Sequence, residues 1–282
     1  MSKNTIKTGI LLAAIGGLFM LIGQLLAGPT GLTIAFVVAL AFVGGQYWLS
    51  DSIALKAAGA IPVTEEQMPQ YYAIVRDLAQ RANLPMPRLY VTPDQQPNAF
   101  ATGRSPKHAA VAVTKGILAI CSWDELRGVL AHELSHVGNR DTLTTSVAAS
   151  MALAITFISR FALFFGGGGD GDGGNILEQL ALIILAPLAA MLLQLALSRS
   201  REYEADRSGA RLLGDGEPLA RALAKLEMAS RQIPMPGVRP EVASMYIVNP
   251  LNGRQISFKK LFSDHPPTED RIARLRAKEW AR

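Results

Sequence analysis

The sequence predicts a mainly α-helical chain with a small β-sheet, the α+β class, that carries four membrane-associated helices. Two observations support this prediction. Hydrophobic residues make up 49% of the 282 residues and charged residues only 18%, well below the roughly 25% charge of an ordinary soluble domain. The apolar residues are also concentrated in four long stretches, at 9–28, 31–49, 143–165 and 176–197. This composition excludes an intrinsically disordered chain, which needs low hydrophobicity and high charge.

The first two apolar stretches contain no charged residue. About 20 helical residues at 1.5 Å each span roughly 30 Å, the thickness of a hydrocarbon core. The stretches are joined at Gly28-Pro29-Thr30 and predict a transmembrane hairpin over residues 1–50. A cleaved signal peptide is the alternative for the first stretch, but the stretch is too long and a second span follows at once.

The second pair of apolar stretches is less pure, because it contains Arg160, Glu178 and Pro187. A polar, glycine-rich connector, GGGGDGDGGN, separates the two. A buried hairpin of a soluble domain is the alternative here. The length of each stretch favours the membrane, so we predict a second transmembrane hairpin over residues 143–198.

Basic residues orient the predicted spans. Lys3 and Lys7 precede the first hairpin and Lys56 follows it, whereas both hairpin tips lack Lys and Arg. The positive-inside rule therefore places both termini and the polar segments 51–142 and 199–282 in the cytoplasm. We expect these two segments to form the working domain together. The net charge of +5 comes without a dense basic run, which excludes nucleic acid as a partner.

The polar segments show helix and strand signals in a clear order. Capping-box patterns, Thr64 with Gln67 and Ser122 with Glu125, predict helices that end near Asn83 and Asn139. Between them, RLYV and the runs 98–103 and 109–114 predict strands of a small sheet. The second polar segment predicts three helices, namely 200–213, another that ends before the proline-rich stretch 234–240, and a last one that begins at Pro266-Pro267.

The helix predicted after Ser122 contains the sequence His132-Glu133-Leu134-Ser135-His136. Residues four apart share one helix face, so the two imidazoles can reach one ion at about 2.0–2.1 Å each. Glu133 would flank that ion and hold a water, and zinc lowers the pKa of a bound water towards 7. The alternative, an ordinary helix with two surface histidines, is weakened because the chain has only four histidines.

A catalytic zinc site also needs a third protein ligand. No third histidine follows His136 in the metzincin pattern, so a carboxylate is expected from elsewhere. Glu202 and Asp206 lie four apart on one predicted helix face, where one could bind zinc while the other orients a ligand histidine. Glu204 lies on another face of the helix. A solvated charged face is the alternative for this segment.

These motifs together resemble the HtpX branch of the integral-membrane zinc proteases, to which the CAAX prenyl proteases are related. The resemblance rests on HExxH at 132–136, the following apolar hairpin and ExxxD at 202–206. The segment 97–103 and the sequence His265-Pro266-Pro267 followed by Arg271 also match.

The resemblance implies a zincin-like metalloprotease domain that holds one Zn²⁺ per subunit. It implies that the zinc ligands are His132, His136 and Glu202, that Glu133 is the general base and that Asp206 orients a ligand. It also implies an edge strand that lays the substrate backbone beside the zinc, and the residues of this strand are Asn98, Ala99, Phe100 and Ala101. For His265 it implies a position near the zinc, either donating to the oxyanion or occupying the open coordination site. A mere capping role at the last helix stays open for this histidine.

The expected function is that of a zinc-dependent endopeptidase of the bacterial inner membrane, multi-pass, with its active site facing the cytoplasm. By resemblance it would hydrolyse misfolded or damaged membrane proteins in protein quality control under stress. The expected partners are polypeptide substrates and the lipid bilayer. An alternative is a proteolytically idle zinc-binding scaffold or chaperone, which would have no use for Glu133. A prenyl-protein processing enzyme would need more spans than the four predicted.

Overall fold

The computed structural model describes residues 3–147, 199–232 and 266–281. It confirms a mostly helical chain with a small mixed sheet. The described elements are α1 (Lys3–Ala57), β1 (Ile61–Pro62), α2 (Pro69–Arg81), β2 (Arg88–Thr92), β3 (Ala99–Thr102), β4 (Ala110–Thr114), α3 (Lys115–Ile120), α4 (Trp123–Gly138), α5 (residues 141–147), α6 (Arg199–Leu213), α7 (Glu217–Gln232) and α8 (Thr268–Arg276). Two short 3₁₀ turns lie at Pro106–His108 and Glu279–Ala281.

The sheet has the strand order β1-β2-β4-β3. Strands β2 and β4 run parallel, and the two outer pairs are antiparallel. All five residues of β4 are buried, as expected for a strand with neighbours on both sides. Within the described residues, β3 has a strand on one side only, so its other edge is open to pairing.

The two faces of the sheet pack against different helices. The β4 residues Val111 and Val113 join α2, α4 and α7 in the larger core cluster. On the opposite face, Ala110 and Ala112 pack with the end of α1. Successive strand side chains point to opposite faces, so this alternation lets one central strand hold both layers together.

The first predicted hairpin corresponds to α1, in which two helices meet at a break. Ala27 (φ −145°) and Gly28 (φ 58°) are non-helical, and Pro29 follows them. Glycine reaches a positive φ without steric cost, and proline cannot continue the preceding helix. Within the part of the chain that the structure describes, one helical stretch, Ala27–Leu49, is long and apolar enough to cross a membrane.

The second predicted hairpin falls almost entirely outside the described residues, which stop at 147 and resume at 199. The proline-rich stretch 234–240 also lies outside them. The prediction of four membrane-associated helices and the division of the chain at 50, 142 and 198 therefore stay predictions.

The predicted start of α2 at Thr64 is wrong, because the helix begins at Pro69. The capping pattern does form one turn: Thr64 N–H donates to Gln67 Oε1 at 2.9 Å, and Met68 N–H donates to the Thr64 carbonyl. Pro69 has no N–H with which to continue the ladder, and a proline disfavours helical angles in the residue before it. Met68 accordingly has φ −139° and ψ 60°, so the turn stays isolated.

Candidate active site

Helix α4 carries the HExxH sequence and begins where the capping box predicts. The Ser122 side chain accepts a hydrogen bond from Glu125 N–H, and the Glu125 carboxylate accepts one from Ser122 N–H at 2.7 Å. Such a box satisfies two backbone donors that the first helical turn leaves without partners. With its start fixed in this way, α4 runs through the core and ends at Gly138.

The two histidines of α4 direct the same ring nitrogen at each other. His132 Nε2 and His136 Nε2 are 3.2 Å apart, and the rings stand nearly perpendicular with centroids 4.8 Å apart. Glu202, from α6, completes the group: Oε2 lies 3.6 Å from His132 Nε2, and Oε1 lies 3.5 Å from His136 Nε2. One ligand atom of each residue lies within 4.8 Å of the other two.

These separations are close to those around a tetrahedral zinc ion. Zinc–nitrogen and zinc–oxygen bonds of about 2.0–2.2 Å at tetrahedral angles give ligand-to-ligand distances of about 3.3–3.6 Å. The 3.2 Å between the two Nε2 atoms is slightly shorter than that. The 3.5 and 3.6 Å distances join the two histidines to different oxygens of Glu202, so a small rotation of the carboxylate would bring one oxygen to the ion. Two imidazoles and one carboxylate are also a donor set that zinc uses in catalytic sites, where it keeps a fourth position open.

Helix α6 reaches the histidines because α4 and α6 approach closely at Gly209. A Cβ atom built at Gly209 would lie 2.9 Å from the backbone nitrogen of His132, a separation that a larger residue could not keep. Glu202 and Asp206 stand about two turns and one turn before Gly209 on α6. Close contact of the two backbones therefore brings both carboxylates to the α4 histidines.

Asp206 faces the Nδ1 atom of His132, whereas Glu202 faces Nε2. Its Oδ1 atom is 2.9 Å from His132 Nδ1, although the Nδ1–H direction departs from the line of a good hydrogen bond. Burial lowers the pKa of His132, but the carboxylates of Asp206 and Glu202 outweigh burial and raise the pKa to about 10. The position therefore favours a positive charge, which suits a bound cation.

Arg271, on α8, holds Asp206 in place. Its Nε donates to Oδ2 at 2.8 Å and its Nη2 to Oδ1 at 2.7 Å, and the Arg271 side chain is 1% exposed. Burial would raise the pKa of Asp206, but Arg271 and His132 lower it to about 2. A bidentate pair of this kind fixes orientation as well as charge.

His136 has a carboxylate partner of its own, Asp141, at the start of α5. His136 Nδ1 and Asp141 Oδ2 are 3.1 Å apart, and the carboxylate is buried. Each histidine therefore directs Nε2 towards the candidate metal position and Nδ1 towards a carboxylate. Histidine ligands of metal ions commonly show this arrangement, because the partner of one nitrogen sets the tautomer and the ring orientation.

Glu133 is buried beside the pair of histidines. Burial raises the pKa of its carboxyl group, although His132 and His136 act in the opposite direction. The backbone N–H of Ala101, in β3, also reaches this carboxylate. Glu133 is therefore positioned between the candidate metal group and the edge strand of the sheet.

Strand β3 lies beside α4 with its outer edge towards the site. Asn98 and Thr114 form a hydrogen-bonded pair: Thr114 N–H donates to the Asn98 carbonyl, and Asn98 N–H donates to Thr114 Oγ1. In an antiparallel ladder such pairs alternate, so the backbone groups of Phe100 point towards β4. Those of Ala99 and Ala101 point towards the open edge.

The structure brings together most of the predicted site residues, whose roles stay predictions. His132, His136 and Glu202 form one group, Glu133 and Asp206 flank it, and β3 with Asn98, Ala99, Phe100 and Ala101 lies alongside. His265 lies outside the described residues.

Sequence reasoning gave no role to Asp141 or Arg271. A carboxylate shortly after HExxH was a signal for the first. For Arg271, the signal was its place in the family pattern after His265-Pro266-Pro267, which indicated no partner.

Comparison with known proteins places this geometry in context. The model of peptidase family M48 matches residues 65–279. A protein named protease HtpX homolog from Syntrophobacter fumaroxidans is 51% identical over 278 residues, covering 96% of this chain and 98% of that protein. A protein of the same name from Salinibacter ruber is 51% identical over 272 residues, covering 96% and 97%.

One solved structure, the crystal structure of S. mikatae Ste24p, has a similar fold. It superposes with a TM-score of 0.51 at 21% sequence identity and covers 96% of this chain. This chain spans 65% of the Ste24p chain. At this identity the likeness concerns the fold alone.

Proposed function

This chain belongs to peptidase family M48 and is a metalloprotease, and from that premise we propose a zinc-dependent endopeptidase of the bacterial cytoplasmic membrane. The observation that carries the proposal is the convergence of His132, His136 and Glu202 ligand atoms within 4.8 Å, beside the buried carboxylate of Glu133. Zinc, when bound by these three residues, would act as a Lewis acid on the peptide carbonyl and increase the acidity of a water.

Glu133 is proposed as the general base. Its carboxylate takes the proton of the attacking water and returns it to the amine that leaves. A base works best when its pKa lies near the working pH, and burial moves the pKa of Glu133 upwards. The Ala101 N–H that reaches Glu133 keeps the carboxylate turned towards the strand along which a substrate would lie.

Asp206 and Arg271 are proposed to keep His132 in the ligand orientation. With Nδ1 facing Asp206 at 2.9 Å, the lone pair of Nε2 is directed at the position between the two histidines. Arg271 prevents the carboxylate from turning away, because its guanidinium group contacts both oxygens of Asp206. Without this arrangement the imidazole could adopt the other tautomer and lose its metal-binding lone pair.

A polypeptide substrate is proposed to bind as an added strand along β3. The outward backbone groups of Ala99 and the outward carbonyl of Ala101 would pair with the substrate backbone, as in other cases of strand addition. This mode recognises backbone and so suits a protease that acts on many unfolded sequences. Asn98 would fix the start of the strand, since its backbone N–H and carbonyl are bound to Thr114.

His265 is proposed to act near the same site. The described chain resumes at Pro266, directly after this histidine, and α8 begins at Thr268. Arg271, on the first turn of α8, already contacts Asp206 and lies 3.8 Å from Glu202 Oε2. An imidazole just before this anchored turn could donate to the developing oxyanion.

The substrates are proposed to be misfolded or damaged membrane proteins, cut on the cytoplasmic side during stress. The apolar stretch Ala27–Leu49 supports a membrane location, and the distribution of basic residues supports the orientation. Single cysteines in a Cys121→Ser background would test this topology. Positions 29 and 170 should react from outside, and positions 60, 140 and 270 from the cytoplasm. Labelling of position 170 from the cytoplasm would contradict a second membrane-crossing hairpin.

The alternative, an idle zinc-binding scaffold, finds less support. A scaffold would have no use for the Glu133 carboxylate, whose burial away from water costs free energy.

The deciding experiment compares Glu133→Gln with wild-type protein. The variant should keep one zinc per chain, because Glu133 is not among the three candidate ligands, and should lose about 10²–10⁴-fold of its casein turnover. Glu204→Gln is the matched control, since Glu204 lies on α6 with its side chain 52% exposed. A zinc-replete Glu133→Gln protein with near-normal proteolysis would show that the base is another residue.

Glu202→Ala and Glu204→Ala extend the test to the third ligand. Two residues along a helix turn the side chain by about 200°, so the two glutamates cannot face the same ion. Glu202→Ala should lose zinc on dialysis and abolish casein cleavage, whereas Glu204→Ala should keep both. The opposite result would show that the assignment of Glu202 is wrong.

A further inference from the structure

The turn after α4 places a buried carboxylate against the second HExxH histidine. Asn139 N–H donates to the Ser135 carbonyl and Arg140 N–H to the Val137 carbonyl, which closes the helix. Arg140 has φ 59°, a left-handed conformation that reverses the chain direction at a helix end. The reversal returns Asp141 to the α4 surface, where its Oδ2 lies 3.1 Å from His136 Nδ1.

The helix that begins at Asp141 also contacts the edge strand. Thr142 Oγ1 donates to the Gly103 carbonyl at 3.0 Å. One turn later, Ser146 Oγ lies 2.6 Å from Thr102 Oγ1, and it accepts from Gly103 N–H at 3.4 Å. These contacts are buried, so they have little competition from water. Polar contacts from two successive turns thus join α5 to His136 and to the end of β3.

From this geometry we propose that Asp141 is a positioning residue for His136, and that α5 holds the metal site and the substrate strand in register. Asp141 accepts from Nδ1–H of His136 and so directs its Nε2 at the metal position. Thr142 and Ser146 fix the end of β3 at Thr102 and Gly103. The inference rests on the proposed metalloprotease site, because Asp141 can position a metal ligand only if a metal binds at Nε2 of His136.

Gly103 makes the strand end a rigid partner for α5. It has φ 136°, and a Cβ atom there would lie 2.9 Å from the Ala109 Cα atom. The chain therefore turns tightly after β3, with Gly103 pressed against the start of β4. The strand end is therefore a fixed point against which Thr142 and Ser146 hold α5, and with it Asp141.

A purely structural role is the competing explanation, since aspartate at a helix start stabilises the helix electrostatically. Such a role predicts a loss of stability with unchanged metal affinity. The charge of Asp141 also acts on Arg201, on α6. Burial lowers the pKa of Arg201, and the nearby carboxylates of Asp141 and Glu202 only partly oppose this decrease. Only a direct measurement of metal binding separates a positioning role from these contributions.

The test measures zinc affinity by competition with a chromophoric chelator, using the full-length protein in detergent. Asp141→Ala should weaken zinc binding by about 10–100-fold, the usual loss when the partner of a ligand histidine is removed. Asp141→Asn, whose amide oxygen can still accept from Nδ1–H, should lose less than Asp141→Ala. The Co²⁺-substituted protein gives a second readout, because a tilted imidazole would change its visible absorption.

Asp51→Ala is the matched control. Asp51 is a buried aspartate that pairs with Arg88 at 2.8 Å, and no histidine ligand depends on it. It should lower the melting temperature without changing zinc affinity. If Asp141→Ala behaves like Asp51→Ala, with reduced stability and wild-type zinc affinity, the positioning role is wrong.

The contacts to the strand end have a separate readout. Thr142→Val and Ser146→Ala should raise KM for a peptide substrate several-fold while zinc affinity stays at the wild-type value. Unchanged KM in both variants would overturn the coupling of α5 to β3. If the wild-type protein itself neither binds zinc nor cleaves casein, the proposed function fails instead, so the two failures are distinguishable.

Discussion

The two HExxH histidines each face a carboxylate, but different parts of the chain supply and hold the two carboxylates. Asp206 comes from α6 and is bound at both oxygens by Arg271, 65 residues further along the chain. Asp141 follows His136 by only five residues and begins the helix that contacts the edge strand. The His132 side chain is 1% exposed, whereas that of His136 is 15% exposed.

The two ligand histidines are therefore held in two different ways. The Asp206 side is a buried ion pair that ties three helices together, so its loss affects both the fold and the metal. The Asp141 side is local to the turn after α4, so its loss should affect the metal and the adjacent strand more than the fold. Variants that change one side at a time can test this division.

Removing Arg271 should have the largest effect on stability. Arg271→Met leaves Asp206 as an uncompensated charge in the core, which costs about 3–5 kcal/mol of unfolding free energy. Urea or thermal unfolding of the detergent-solubilised protein would measure the loss. The double variant Arg271→Met with Asp206→Asn should recover part of it, because the buried charge is gone. Equal stability of Arg271→Met and wild type would show that the pair does not stabilise the fold.

Enlarging either of two glycines at the helix contacts of α4, Gly209 of α6 or Gly128 of α4 itself, should distinguish the site from the rest of the core. Gly209 meets the backbone of His132, and Gly128 meets the backbone of Leu219 in α7. Alanine at either position should cost about 1–3 kcal/mol through overpacking. Only Gly209→Ala should also weaken zinc binding, because it separates α6, with Glu202, from the histidines. Equal zinc affinities in the two variants would contradict the role given to this close approach.

Replacing Asp206 or Asp141 singly with asparagine should have the smallest effects, and it compares the two sides directly. Asp206→Asn should weaken zinc binding by about 10–100-fold and should also lower the melting temperature, since Arg271 is left with a poorer partner. Asp141→Asn should weaken zinc binding with a smaller change in melting temperature. Chelator competition and thermal unfolding on the same samples would measure both. A larger stability loss for Asp141→Asn would reverse the division between the two sides.

Local signals predicted a large part of the candidate site. The Ser122–Glu125 box fixed the start of α4, and the four-residue spacings of HExxH and ExxxD placed each motif on one helix face. Within the described residues β3 has an open edge, and its role as the substrate strand stays a prediction. The start of α2 was missed, because a capping pattern at Thr64 was followed by Pro69, which ends the turn it begins.

The sequence by itself indicated the candidate metal ligands, because helical spacing determines which side chains share one helix face. Only the tertiary structure decided which carboxylate serves which histidine. Arg271 meets Asp206 because α8 packs on α6, and α6 approaches His132 because Gly209 has no side chain. Asp141 reaches His136 because Arg140 adopts a left-handed conformation. The contacts of Arg271 and Gly209 depend on how whole helices pack, which no short sequence pattern encodes, whereas the contact of Asp141 depends on one turn conformation.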